Sequence, residues 1–166
     1  MVRPAGGGVE FGGARVAGRL SELAVNYRKS ALVENHGAGG RRAGGRAPDS
    51  ELRDDGNQAR RIFEVLRAPR HVLLIFLGIS GTTEQAEQLG NMLSAFQADV
   101  MDSYRIARGR TGLPAELRDL SGLAHAAYGL TSGGLILVRP DGYIGYRSTH
   151  FGENPLRTYL SRLFLR

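Results

Sequence analysis

The sequence predicts an α/β domain in which a mixed β-sheet is flanked by helices. Three observations carry this. Val72-Leu73-Leu74-Ile75-Phe76-Leu77 is a continuous apolar run of strand length with β-branched and aromatic members, as suits a strand buried on both faces. Pro140-Asp141-Gly142 is the strongest turn signal in the chain and separates two strand-like runs, 134–139 and 143–147. Leu156, Tyr159, Leu160, Leu163 and Phe164 form an apolar stripe of helical spacing near the C-terminus.

Taken in order, residues 1–45 look unlike the rest. Gly6-Gly7-Gly8, Gly12-Gly13, Gly37-Ala38-Gly39-Gly40 and Gly44-Gly45 interrupt any periodic pattern. Between them, Leu20, Leu23, Val25 and Tyr27 fit no single period. A Gly-rich arm or linker that docks on something is expected over 1–45, followed by one domain over 46–166. Ala47-Pro48-Asp49 opens an extended segment through Leu52, and Asp54-Asp55-Gly56-Asn57 makes a turn. Ala59, Ile62, Phe63 and Leu66 follow helical spacing, and Pro69 ends that helix.

After the apolar run, Gly78-Ile79-Ser80-Gly81 turns the chain. Thr82 with Gln85 three residues later makes a capping box, and the helix it starts buries Ala86, Leu89, Leu93 and Phe96. Residues 99–107 read as a second strand with Val100, Tyr104 and Ile106 apolar, and 109–114 as a loop. Leu117, Leu120, Leu123, Ala124, Ala127 and Tyr128 predict one or two short helical pieces. The hairpin over 134–147 follows, its second strand alternating outward. Asn154 reads as N-cap of the last helix, with Pro155 at the first helical position. Two parallel strands joined by a crossover, then an antiparallel pair and a closing helix, is the thioredoxin-fold arrangement.

With 166 residues and 42% hydrophobic content, the chain is long enough for one domain with a proper core. It has no cysteine, which removes disulfides, thiolate nucleophiles and every dithiol redox mechanism. No signal peptide is visible, and the longest apolar run is far too short to cross a bilayer, so a cytoplasmic protein with no membrane partner is expected. The net charge of +6 invites a nucleic-acid reading, but the distribution argues against it. Lys29 is the only lysine, and Arg41-Arg42-Ala43-Gly44-Gly45-Arg46 is the only real basic cluster, within a Gly-rich stretch. GC-rich coding produces such an Arg/Ala/Gly composition without any ligand.

Asn26-Tyr27-Arg28-Lys29-Ser30-Ala31-Leu32 resembles the segment that precedes the C-terminal domain in FAD-dependent aromatic hydroxylases, the phenol hydroxylase-like and polyketide-tailoring monooxygenases. Gly44-Gly45-Arg46-Ala47-Pro48-Asp49-Ser50-Glu51-Leu52 is similar to the start of that domain. Leu137-Val138-Arg139-Pro140-Asp141-Gly142-Tyr143-Ile144 resembles its closing hairpin. The resemblance implies a thioredoxin-like domain of a family that uses FAD and NAD(P)H. It implies no catalytic, flavin-binding or metal residue on this chain, because the family's Gly-x-Gly-x-x-Gly and Gly-Asp motifs have no counterpart here. The role it implies is structural: packing on the flavoprotein body, in the same or a separate chain, or self-association at a dimer interface.

The residues themselves offer little chemistry. Where a thioredoxin carries its Cys-x-x-Cys, this chain reads Gly78-Ile79-Ser80-Gly81, and where the fold's cis-Pro would fall it reads Thr131-Ser132-Gly133. Ser80 on a strand-to-helix turn suggests a nucleophile elbow, but Gly78-Ile79-Ser80-Gly81-Thr82 misses the second Gly. The same turn could hold an anion at the helix N-terminus, supported by two glycines alone. His36, His71, His125 and His150 lack partners at metal-ligand spacing. Asp54-Asp55 and Glu84/Glu87 are explained by solvation. Tyr143, Tyr146, Tyr159 and Phe151 would pack the hairpin against the last helix or meet a missing flavoprotein portion. The expectations are therefore a detached or truncated hydroxylase C-terminal domain, a free-standing redox-inactive interaction module, or a cysteine-free enzyme using Ser80.

Overall fold

Strand β4 (His71–Phe76) is the axis of the fold, and its alternation divides the core in two. In the computed structural model, which describes residues 32–78, 82–94, 96 and 101–164, Leu73 and Ile75 point to one sheet face. Val72, Leu74 and Phe76 point to the other. Strand β7 (Gly134–Val138) repeats the division, with Leu135 and Leu137 on the first face and Ile136 and Val138 on the second. Both faces must be covered, and the helices do this. α2 (Thr83–Leu93) and α4 (Glu153–Phe164) bury Ala86, Leu89, Met92, Leu93, Leu156, Tyr159 and Leu160 on the first face. α3 (Leu123–Tyr128) and the single turn α1 (Ile62–Val65) place Ala124, Tyr128 and Ile62 on the second. Each fully buried side chain of this size contributes about 1.5–3 kcal/mol.

The remaining strands are β1 (Glu34–His36), β2 (Glu51–Arg53), β3 (Ala59–Arg61), β5 (Met101–Ala107), β6 (Glu116–Arg118) and β8 (Ile144–Ser148). The sheet order is β1-β8-β7-β4-β5-β6-β2-β3. β4, β5 and β6 run parallel, and the α2 crossover joins the first two. β7 is antiparallel to β4 and to β8. The mixed, helix-flanked sheet is the one the sequence predicts.

Local signals explain the elements that match. Thr82 Oγ1 accepts from Gln85 N while Gln85 Oε1 accepts from Thr82 N, so the expected capping box is formed. Arg139, Asp141 and Gly142 (φ +81°) close the β7–β8 turn, with Gly142 N donating to Arg139 O at 2.9 Å.

Other elements differ from expectation. Ala59–Arg61 is a strand, not the start of a helix, because Asp54 closes a hairpin: its backbone oxygen accepts from Asn57 N and its Oδ1 from Gln58 N. The helix is then only Ile62–Val65. Glu116–Arg118 is strand β6 beside β5 rather than helix, and it is set by that long-range pairing. All five residues of β8 are buried instead of alternating outward, since β1 flanks it and α4 covers Tyr146. α4 begins at Glu153, so Pro155 stands third in the helix; its missing N–H is harmless there because first-turn amides have no intrahelical acceptor.

The described part of the Gly-rich stretch, residues 32–45, lies against the sheet. β1 pairs in parallel with β8, Gly44 N donates to Ile144 O, Ile144 N donates to Gly45 O, and Tyr159 OH donates to Leu32 O. Asn26 to Ala31 lie outside the described residues.

Candidate functional site

The chain leaves β4 at Gly78, and the amide of Gly78 donates to Nε2 of His125 at 3.1 Å. That imidazole is fully buried on α3, edge-on to Phe76 at 5.1 Å between ring centres. Its Nδ1 lies 2.7 Å from Asp119 Oδ2, and the same oxygen accepts the backbone N–H of His125 at 2.8 Å. A carboxylate can only accept, so Nδ1 carries the proton and Nε2 is a bare acceptor for Gly78. Burial pushes the His125 imidazole below its ordinary range, against the pull of Asp119; Arg108 acts in the same direction as burial. Burial alone would raise the Asp119 carboxyl, but the His125 amide and imidazole outweigh it and hold it low. The result is a closed, fully satisfied network joining the end of β4 to the start of α3.

The network was not anticipated from the sequence. The available signal was Asp119 ahead of the short helix, an acceptor for its first amides. The other histidines are scattered: His36 bonds Glu34, His71 packs edge-on against Phe164 at 5.1 Å, and His150 pairs with Thr149. Among the described residues no three His, Asp or Glu side chains gather as metal ligands. Asp54 accepts from Gln58 N and Arg60, Asp55 is exposed, and Glu84 and Glu87 lie on the exposed face of α2. Tyr146 and Tyr159 meet at a tilt, 5.2 Å between ring centres, inside the core, where burial pushes the Tyr146 hydroxyl up to about 12. Phe151 packs against the same cluster, and Tyr143 is buried at the start of the hairpin's second half. Ser80, with Ile79 and Gly81, lies outside the described residues.

A dinucleotide cofactor needs free backbone amides at a strand-to-helix turn to hold its pyrophosphate. Here Gly78 N is taken by His125, and Thr82 N and Gln85 N are taken by the capping box. The amides of Gly78, Thr82 and Gln85 are therefore already engaged within the chain. Two open clefts of about 330 and 340 Å³ lie elsewhere. One, between the β2–β3 hairpin and β5, is lined by Asp54, Arg60, Arg61, Glu64, Val65, Tyr104 and Leu117. The other runs beside Arg53, Arg118, Leu120 and Leu123. Leu120 and Leu123 are 55% and 67% exposed, the most exposed large apolar side chains among the described residues. No described helix is long and apolar enough to cross a membrane.

Known proteins repeat this architecture. Solved structures with the same fold include the flavin-dependent monooxygenase PieE in complex with FAD and substrate, at TM-score 0.57 and 21% identity over 76% of this chain and 20% of that one. Aklavinone-11 hydroxylase with FAD and aklavinone matches at TM-score 0.56 and 22% identity, over 75% of this chain and 22% of its own. The thioredoxin domain of a thiol-disulfide oxidoreductase from Bacteroides vulgatus matches at TM-score 0.55 and 16% identity, over 72% of this chain and 99% of its own, so the fold is thioredoxin-like. A 4-methyl-5-nitrocatechol 5-monooxygenase of a Burkholderia species is 32% identical over 120 residues, 69% of this chain and 19% of that protein. The chain thus spans about a fifth of the length of these monooxygenase relatives. The family described as aromatic-ring hydroxylase, C-terminal, matches residues 40–166, and the chain belongs to it.

Proposed function

We propose that this chain is the structural and interface domain of an FAD- and NAD(P)H-dependent aromatic-ring hydroxylase and carries no chemistry of its own. The observation that carries the reading is the turn after β4, the fold's usual redox position. It has no thiol, and its described amides are bound internally by His125 and the α2 capping box. The family membership, and the match of this chain to only about a fifth of its monooxygenase relatives, supply the context. Leu120 and Leu123 beside their cleft are the kind of surface a domain leaves bare when separated from a larger body. The flavoprotein body would cover it, in the same polypeptide or a separate one.

The test is direct. The purified chain should be colourless, bind no flavin on dialysis against FAD, and consume no NADPH in the presence of phenolic substrates. Stoichiometric flavin in the purified chain would overturn the proposal.

A further inference from the structure

We propose that Asp119, His125 and Gly78 form a proton-operated clasp: closed while the imidazole is neutral, and opened when His125 takes a second proton at Nε2. The geometry allows one closed state. Asp119 Oδ2 receives both the backbone N–H and the Nδ1–H of His125, at 2.8 and 2.7 Å, so the ring's proton is fixed on Nδ1. Nε2 is then the sole acceptor for Gly78 N at 3.1 Å. Protonating Nε2 turns that acceptor into a donor aimed at a donor. The contact is lost rather than weakened, and the half-buried Gly78 amide is left without its protein partner.

The surroundings do not rescue the charged ring. Phe76 from β4 meets it edge-on, and Tyr128 from α3 packs on Phe76 at 5.0 Å with its hydroxyl directed to Pro48 O. Arg108, following β5, opposes a second positive charge, and Asp119 alone favours it. Gly78 (φ +56°) sits against the Ser132–Gly133 backbone, where a Cβ would come within 2.2 Å of Gly133 N. Opening therefore releases the end of β4 from α3, while the close packing of Gly78 on the turn before β7 limits how far it can move. The inference is independent of the proposed interface role, since it concerns a contact internal to the chain.

Hydrogen exchange across pH on the intact chain tests it. Between about pH 6.5, the ordinary imidazole value, and the lower value of the buried ring, the protection factor of the Gly78 amide should fall by up to about tenfold per pH unit. Ile136 and Leu137 in β7, whose amides exchange only when the domain opens more widely, should stay more protected than Gly78 throughout that window. His125→Gln retains a neutral acceptor that cannot titrate and should flatten the Gly78 profile. Should that variant not fold, ¹⁵N shifts of the wild-type imidazole decide: the Nδ1–H tautomer at pH 7.5, converting to imidazolium as Gly78 loses protection, supports the clasp. An Nε2–H tautomer at neutral pH overturns it. So does a Gly78 profile that stays flat to pH 4.5, or a Gly78 protection factor equal to those of Ile136 and Leu137 at every pH.

Discussion

Gly39 and Gly40 are neighbours in the loop that carries the Gly-rich stretch onto the domain, and the structure predicts very different consequences for adding a methyl group to each. Both have left-handed backbones, with φ of +76° and +65°. An alanine at either position therefore bears the same conformational penalty of about 1–2 kcal/mol. At Gly39 a Cβ meets nothing within 4 Å, and the penalty ends there. At Gly40 it lands 2.7 Å from Gly129 Cα, 3.0 Å from Tyr128 O and 3.0 Å from the Arg147 guanidinium. Two of those three are backbone atoms, and Arg147 is only 1% exposed, so nothing can swing aside. Relieving such overpacking typically costs a further 1–3 kcal/mol. Gly40→Ala should lose about 2–5 kcal/mol and Gly39→Ala about 1–2 kcal/mol. Urea unfolding followed by circular dichroism reads this as a larger drop in midpoint for Gly40→Ala at unchanged m, since both changes restrict the unfolded chain equally. Equal midpoints for the two variants would refute the close approach of this loop to the end of α3.

Two further predictions concern other sites. Glu116 Oε2 accepts from Thr111 N, Gly112 N and the Thr111 hydroxyl; burial would raise its carboxyl, but these bonds hold it low. Its contribution is present above the ordinary carboxylate value and lost as pH falls through the depressed one, so Glu116→Gln should lower stability by about 1.5–3 kcal/mol at pH 7 and narrow the gap to wild type below about pH 4 in paired melts. Leu120→Ser combined with Leu123→Ser, at side chains 55% and 67% exposed, should leave stability within about 0.5 kcal/mol while reducing self-association in sedimentation velocity.

What was legible in the sequence was what local chemistry decides. The doubly buried strand announced itself as a run without polar interruption because helices cover both faces. The α2 capping box was visible because its two members lie three residues apart. The three-residue strands β1 and β6 were not, because each is held by a partner distant in sequence: β1 by Tyr146–Ser148, and β6 by Arg105–Ala107. In β6, Leu117 continued an apparent helical spacing to Leu120 and Leu123 that the fold does not use. Leu117 is buried in the sheet while the other two face outward. The Asp119–His125 pair escaped for a related reason. Six residues is too far for one helical face, and only the left-handed Gly122 at the start of α3 turns the chain so that the carboxylate meets both groups of His125.

That pair also explains how the end of β4 is closed. A strand buried on both faces must release its last amide into the core or find it an acceptor, and α3 has the same need for its first amides. Asp119 answers the second need by accepting from His125 N, and through the imidazole it extends the same network to Gly78. A shorter acceptor at position 125 would satisfy one end only, since the ring alone separates two opposed nitrogens by the required span. Replacing His125 by Ala should then strand both Gly78 N and one Asp119 contact and open a cavity beside Phe76. Replacing Asp119 by Asn keeps an acceptor for both bonds and removes only the charge. The first change should therefore destabilise the domain by several kcal/mol and the second by about 1.5–3 kcal/mol, the share carried by hydrogen bonds to a charged acceptor.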